Sequence, residues 1–224
     1  MTYTPTREQI EAGQAVYTRR TLALYDLVVL GVSNRWIWKC PTSQLLKHYN
    51  RNVSANHLDV GVGTGFYLDR CRFPASNPRV ALMDLNPESL SFTSRRIARY
   101  QPELYRQSVC EPIQTGIARF DSVAINYLLH CLPGTMALKA AILEHLKPLM
   151  NPGAVLFGST LLQGDVPRSW LAKRVMKAYN RQAIFSNEHD DLRTLQDALD
   201  QRLTDVQVEV VGCAALFSGR AADH

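Results

Sequence analysis

A glycine-rich loop that follows a carboxylate is the part of this sequence best suited to hold a ligand. In the stretch HLDVGVGTGFYLD, residues 57–69, Asp59 is followed by glycines at positions 61, 63 and 65. An apolar run before the glycines and Phe66-Tyr67-Leu68 after them predict a strand, a tight turn and a helix. Glycine lets the backbone adopt positive φ and approach a ligand closely, and a helix N-terminus offers free N–H groups. The stretch therefore predicts a cofactor site.

A second carboxylate stands where nucleotide-binding folds need one. Asp84 ends the next apolar run, VALMDL at 80–85, at roughly the distance of about 20 residues from the glycines at which such folds bind ribose hydroxyls. The alternative is that Asp84 helps to cap the helix that begins at Asn86-Pro87. The dinucleotide fingerprint requires a small residue where this chain has Phe66, so the spacing disfavours NAD or FAD.

These residues resemble the motifs of the class I S-adenosylmethionine-dependent methyltransferase family. Asp59 to Gly65 reproduces the usual first motif, an acidic residue followed by x-G-x-G-x-G, and VALMDLNPESL resembles the second motif. FDSVAINYLLHCLPG and LKPLMNPGAVLFGS resemble the motifs of the fourth and fifth strands, so the likeness covers about residues 53–158. The N-terminal stretch 25–41 adds a likeness to small-molecule methyltransferases, including those of secondary metabolism.

The resemblance implies S-adenosylmethionine as the cofactor and assigns its contacts. Its methionine portion would lie on Asp59 and the loop, its ribose near the end of the second strand, and its adenine near Ser108 to Cys110. The implied cofactor-binding residues are Asp59, Gly61, Val62, Gly63, Thr64, Gly65, Asp84, Leu85, Ser108, Val109 and Asn126, with Asn126 on the cofactor's open side. Ser108 stands where the family often has an acidic or amide residue, and the alignment can also slip toward Glu111.

Methyl transfer to a phenol, acid or amine is helped by a general base. We predict His130 for this role, because NYLLHCLPG leaves the fourth strand at its carboxyl end, and Tyr25 as a second candidate. The acceptor is expected near Tyr17, Trp38 and Tyr127. Alternative roles remain open, since His130 could bond to the backbone and the tryptophans could pack against the sheet.

The alternation of short apolar runs with helical patterns predicts the fold. Runs at 57–60, 80–85, 105–109, 120–126 and 154–161, with a closing hairpin around Gly212, predict a doubly wound, mostly parallel seven-stranded sheet. Helices are expected at 86–102, 134–150, 167–179 and 188–202, the last capped by Asn187. Residues 1–52 are predicted to form a helical cap over the site, and residues 53–224 the Rossmann-like cofactor domain.

Composition limits the function classes. The 224 residues carry a net charge of +5 without long charge runs, and the five cysteines are scattered, so neither nucleic acid nor a metal is expected as a partner. The absence of an N-P-P-Y-like motif after the fourth strand also argues against base methylation. The apolar stretch 22–32 is too short to cross a membrane, and no signal peptide is recognisable, which favours a cytoplasmic protein.

A small-molecule acceptor is the expected partner, and the oligomeric state stays open, with a homodimer as one option. Two rival functions also remain at this stage, a dinucleotide-dependent oxidoreductase and a cofactor-binding protein without methyl transfer.

Overall fold

One seven-stranded sheet organises the molecule, and the computed structural model describes residues 26–113 and 116–222 of the chain. The strands are β1 Asn56–Val60, β2 Arg79–Met83, β3 Glu103–Tyr105, β4 Phe120–Asn126, β5 Met150–Leu161, β6 Thr204–Val211 and β7 Ala214–Arg220. Their order is β3-β2-β1-β4-β5-β7-β6, and β7 runs antiparallel to the other six strands. The predicted doubly wound, mostly parallel sheet of seven strands is confirmed.

The α-helices lie between the strands. They are α1 Thr42–Asn52, α2 Phe66–Arg70, α3 Pro87–Arg96, α4 Met136–Lys139, α5 Ala141–Leu146, α6 Trp170–Arg181 and α7 Leu192–Asp200. Short 3₁₀ turns follow at Ala98–Tyr100, Leu129–Cys131 and Lys147–Leu149, and a π-helix spans Asp26–Ile37. As predicted, the Asn86 side chain caps α3 by accepting the Glu88 N–H, with Pro87 in the first turn.

Helices cover both faces of the sheet, because successive residues of a strand point to opposite sides. On β2, Ala81 and Met83 join the core beneath α4, α5 and α7, whereas Val80 and Leu82 join the core beneath α1 and α3. Strands buried on both faces explain the nearly continuous apolar runs in the sequence.

Two predicted elements, the third strand and the helix at 134–150, were wrong in their extent. The third strand is Glu103–Tyr105 and not 105–109, so Ser108 and Val109 lie in the loop that follows it. The predicted helix 134–150 is divided at Ala140 into α4 and α5 and ends in a 3₁₀ turn that contains Pro148.

The last helix is capped by Asp191, whose side chain accepts the Thr194 N–H, and not by Asn187. Asn187 is buried and uses its amide Nδ2 to bond the Leu161 carbonyl at 2.9 Å. It therefore fastens the chain after α6 to the end of β5.

The N-terminal part of the described chain consists of the π-helix and α1. The predicted boundary between a cap at 1–52 and a cofactor domain at 53–224 stays a prediction, since residues 1–25 lie outside the described residues. Within 26–113 and 116–222, every helix is too short or too polar to serve as a membrane-spanning segment.

Candidate cofactor and active site

The loop between β1 and α2 has the backbone that only glycine adopts at low cost. Gly61, Gly63 and Gly65 all have positive φ, at 70°, 52° and 68°. A Cβ on Gly65 would lie 2.5 Å from the Thr93 side chain of α3, whereas one on Gly63 would meet nothing within 4 Å. Thr93 also donates its hydroxyl to the Gly63 carbonyl at 3.1 Å. The loop therefore packs against α3 at Gly65, whereas Gly63 faces open space.

A cavity lies beside this loop at the carboxyl ends of β1, β2 and β4, the edge where open α/β sheets bind ligands. It brings together Asp59, the whole loop from Gly61 to Gly65, Asp84 and Asn126. The rest of its wall is mostly apolar or aromatic and consists of Leu30, Phe66, Tyr67, Ser89, Tyr127, Leu128, Cys131, Leu132 and Pro133. Polar groups thus converge on one side of a largely apolar space.

A second cavity continues from the first one. It is lined by Leu85, Gln107, Ser108, Val109 and Cys110, and it shares Gly61, Asp84, Leu128 and Leu132 with the first. All eleven residues predicted to bind the cofactor line one of these two cavities, with Asp84 between them.

The environment of the Asp84 carboxylate destabilises its ionised form. Burial raises the pKa of this carboxyl to about 6, although N–H groups of Asn86, Gly63 and Val62 oppose the shift by donating to it. The Asn86 N–H lies 2.8 Å from Oδ1. Asp84 therefore does more than help to begin α3, because its other donors belong to the glycine loop.

Asn126 supplies an observation that points directly to a ligand. Its Oδ1 accepts the Ser159 hydroxyl at 3.1 Å, but its Nδ2 is buried at the cavity and has no hydrogen-bond partner within the described chain. A buried donor without a partner costs about 1–3 kcal/mol. An acceptor atom on a bound molecule would remove this cost, so the residues present fit a polar cofactor or substrate.

The N-terminal segment contacts the glycine loop at Thr64. The Thr64 hydroxyl donates to Asp26 Oδ1 at 2.6 Å, and Asp26 forms an ion pair with Arg96 of α3 at 2.5 Å. Arg96 also donates to the Thr64 carbonyl at 3.2 Å. With Leu30 in the cavity wall, the π-helix thus lies against the site.

Of the residues predicted to bind the acceptor, Tyr127 lies at the cavity and Trp38 does not. Tyr127 has a φ of 53° and donates its hydroxyl to Asn34 Oδ1 at 2.9 Å. Trp38 is 2% exposed and packs with its ring centroid 6.1 Å from that of Phe185. Its placement favours the packing alternative. Tyr17 and Tyr25 fall outside the described residues.

His130 follows β4 as predicted, but its ring turns away from both cavities. Its Nδ1 accepts the Leu161 N–H at 3.3 Å, and the ring packs edge-on against Phe185 at 4.6 Å. Burial, with the nearby positive charge of Lys139, lowers the pKa of His130 to about 3. This imidazole is neutral at physiological pH and a weak proton acceptor, so the geometry does not favour the predicted base.

Sequence reasoning missed the residues that complete the cavity wall, among them Leu30, Tyr67 and Cys131. Tyr67 lies two residues after Gly65, so the sequence already placed it close to the glycine loop. It also missed Tyr49 on α1, whose hydroxyl donates to Asp59 Oδ2 at 2.7 Å. No local pattern reveals a contact between a helix residue and the end of the following strand.

Comparison with known proteins agrees with this geometry. Residues 58–156 match a family described as a methyltransferase domain. The demethylluteothin O-methyltransferase of Streptomyces thioluteus is 36% identical over 216 residues, covering 96% of this chain and 94% of the relative. The physcion biosynthesis cluster O-methyltransferase of Aspergillus chevalieri is 36% identical over 213 residues, covering 92% and 94%.

A solved structure shows the same fold at low sequence identity. N-methyltransferase NodS from Bradyrhizobium japonicum WM9, in complex with S-adenosyl-L-homocysteine, superposes with a TM-score of 0.63 at 14% identity, covering 95% of this chain and 98% of that one.

Proposed function

Because the chain belongs to the S-adenosylmethionine-dependent methyltransferase family, we propose that it methylates a hydroxyl oxygen on a small, largely apolar secondary metabolite. The observation that carries the proposal is the division of the site. Its polar groups gather at the glycine loop, Asp59 and Asp84, while Leu30, Tyr127 and Pro133 form a wall that belongs to the first cavity alone.

The polar side is proposed to hold the cofactor. Asp59 and the loop would bind the methionine portion, Asp84 the ribose hydroxyls, and the loop at Ser108 and Val109 the adenine. The bound cofactor supplies a methyl group on a sulfonium, which is already activated for transfer. The protein then has to orient a nucleophile and exclude water, and positioning of this kind is worth about 7–11 kcal/mol of a reaction barrier.

The apolar side is proposed to receive the acceptor. Leu30, Tyr127 and Pro133 line it, and such a wall suits an aromatic or polyene skeleton better than a charged one. Asn126 Nδ2 would donate to an oxygen of the acceptor or of the cofactor. Burial raises the pKa of the Cys131 thiol in this wall to about 12. The thiol therefore stays protonated and does not compete as a methyl acceptor.

Oxygen is proposed over nitrogen or carbon because both O-methyltransferase relatives align along nearly the whole chain. An acidic phenol or enol loses its proton readily and needs little help from a base. That chemistry suits a site in which His130 has a pKa of about 3. Tyr25 stays a predicted base.

Of the rival functions, the dinucleotide oxidoreductase is not favoured, since the relatives are methyltransferases and Phe66 replaces the small residue of that fingerprint. We further propose that the protein acts in the cytoplasm on small molecules and not on nucleic acid.

The test combines cofactor binding with an acceptor screen. Calorimetry with S-adenosylhomocysteine and NADH should give binding of the first alone. A methyl-labelled cofactor should then transfer label to apolar phenols and enols, and the label should be lost in Asp84→Ala. A matched panel of anilines and carbon nucleophiles of the same ring size serves as the comparison. Transfer only to the anilines or carbon acids would refute oxygen as the acceptor atom, and cofactor binding without any transfer would favour a non-catalytic protein.

A further inference from the structure

A chain of buried hydrogen bonds runs from the interior of the sheet to Asp59. The Tyr49 hydroxyl lies 2.7 Å from Asp59 Oδ2 and 2.8 Å from His57 Nε2. His57 Nδ1 lies 2.7 Å from the Ser122 hydroxyl of β4, and Ser122 Oγ also accepts the Ser54 N–H at 2.9 Å. Tyr49, His57 and Ser122 are 0% exposed, so water does not compete for these groups.

The donors and acceptors in this series of hydrogen bonds determine which atoms carry the protons. The Tyr49 hydroxyl donates its single proton to Asp59 Oδ2. Its oxygen can then only accept from His57, so Nε2 carries a proton, and Nδ1 on the other side of the ring bonds to the Ser122 hydroxyl. Each group thereby fixes the direction of the next bond, and the last bond ends on a carboxylate in the cavity wall.

The neighbours of Tyr49 keep its hydroxyl in place and protonated. Its ring stacks on Tyr67 at 5.5 Å and meets Phe157 edge-on at 5.1 Å. Burial, followed by the negative charge of Asp59, raises the pKa of Tyr49 well above its usual range. Tyr49 thus remains a donor to Asp59 at neutral pH.

We propose that Tyr49 and His57 are positioning residues that aim the Asp59 carboxylate at the ammonium group of the cofactor's methionine portion. The inference rests on the proposed role of Asp59 at the cofactor. With Oδ2 held by Tyr49, the carboxylate is fixed about its side-chain bonds, and Oδ1 is left to accept from the ligand. Neither residue lines the cavity, so both act through Asp59.

The test is a double-mutant cycle read by S-adenosylhomocysteine affinity. Tyr49→Phe keeps the ring and its stacking but removes the hydroxyl. A hydrogen bond to a charged group contributes about 1.5–3 kcal/mol, which sets an upper limit of about 10-fold to 100-fold on the rise in the dissociation constant, and we expect a rise of at least about 5-fold. In an Asp59→Asn background, which removes the charge that Tyr49 positions, the same substitution should change affinity by less than about 3-fold.

Steady-state kinetics separates positioning from loss of structure. In Tyr49→Phe, KM for the cofactor should rise while kcat at saturation stays near the wild-type value. The matched control is Tyr105→Phe, which also removes a tyrosine-to-carboxylate bond, to Glu103 at 2.5 Å, from a residue that lines neither cavity. The control should leave affinity and KM unchanged.

An equal loss of affinity in both Asp59 backgrounds, or wild-type affinity in Tyr49→Phe, would overturn the inference. If Tyr49→Phe does not fold, the same cycle with Ser122→Ala decides, with an expected loss of about 5-fold for one ordinary hydrogen bond, confined to the Asp59 background. Absence of binding by the wild-type protein would instead overturn the proposed function, so the two failures are distinguishable.

Discussion

Asp84 gives the most quantitative prediction, because the chain keeps an ionised carboxylate where folding alone disfavours it. In the folded protein burial raises its pKa from 3.8 to about 6, so the folded state binds this proton more tightly than the unfolded state does. The resulting cost to stability is therefore complete above pH 6 and vanishes as the pH falls to the unfolded value. Asp84→Asn removes the charge and with it this dependence on pH.

The size of the effect follows from the two pKa values. Proton linkage gives a cost of about 3 kcal/mol at pH 7.5 and about 1.6 kcal/mol at pH 5. Asparagine also loses part of the acceptor capacity that binds the loop N–H groups, but this loss is nearly independent of pH. The difference in free energy of unfolding, variant minus wild type, should therefore fall by about 1.4 kcal/mol from pH 7.5 to pH 5, whatever its absolute value.

Urea unfolding of the ligand-free proteins at the two pH values measures this difference. Asp69→Asn is the control: burial raises the pKa of Asp69, but hydrogen bonds from Arg99 and Arg96 outweigh it and lower the pKa overall. Asp69 stays ionised at both pH values, so its variant should show a difference that does not change with pH. A difference for Asp84→Asn that is equally flat, or that grows toward pH 5, would refute the electrostatic account of the site.

Three further predictions concern the loop, a buried ion pair and His130. Gly65→Ala should abolish cofactor binding in calorimetry, because the added methyl group clashes with α3. Gly63→Ala, at φ 52° in open space, should cost only about 1–2 kcal/mol of stability. An equal loss of cofactor binding in the two variants would contradict this. Lys139→Met should lower the free energy of unfolding in urea by about 3–5 kcal/mol, because Asp190 is then left without its cation. Asp190 lies 2.5 Å from Lys139 and is 1% exposed. Adding Asp190→Leu to this variant should restore much of the lost stability. His130→Asn should leave the shape of the pH–rate profile unchanged, and loss of one limb of that profile would re-establish His130 as the base.

The cofactor side of the site was predictable because its signals are local. The positive φ values at Gly61 and Gly65 and the position of Asp84 after β2 follow from neighbours within a few residues. The order of the strands follows from the same alternation of apolar runs and helices. The local pattern therefore predicted the sheet, and the eleven residues that the family resemblance assigned to the cofactor all line the two cavities, while their contacts with the cofactor stay a prediction.

The acceptor side was less predictable because distant contacts decide it. Trp38 is drawn into a cluster with Met176 of α6 and with Phe185, more than 130 residues away in the chain. His130 is turned by the 3₁₀ turn at Leu129–Cys131 toward the end of β5. A short edge strand such as β3, paired only with β2, leaves a weak pattern, which explains the error at its boundary.

The positive φ of Tyr127 has a consequence for how this protein can evolve. A side chain in the left-handed region costs about 1–2 kcal/mol, and here it is maintained by the bond from the Tyr127 N–H to the Ser159 carbonyl at 2.7 Å and by the bond to Asn34. Glycine would relieve this strain, but it would also remove a side chain that is 9% exposed and packs in a cluster with Leu161 and Met176. Truncation of a buried aromatic side chain costs about 3–5 kcal/mol, which exceeds the strain. A glycine at this position is therefore expected to lower the thermal stability of the protein, so variation here is limited by packing even though the backbone alone prefers glycine.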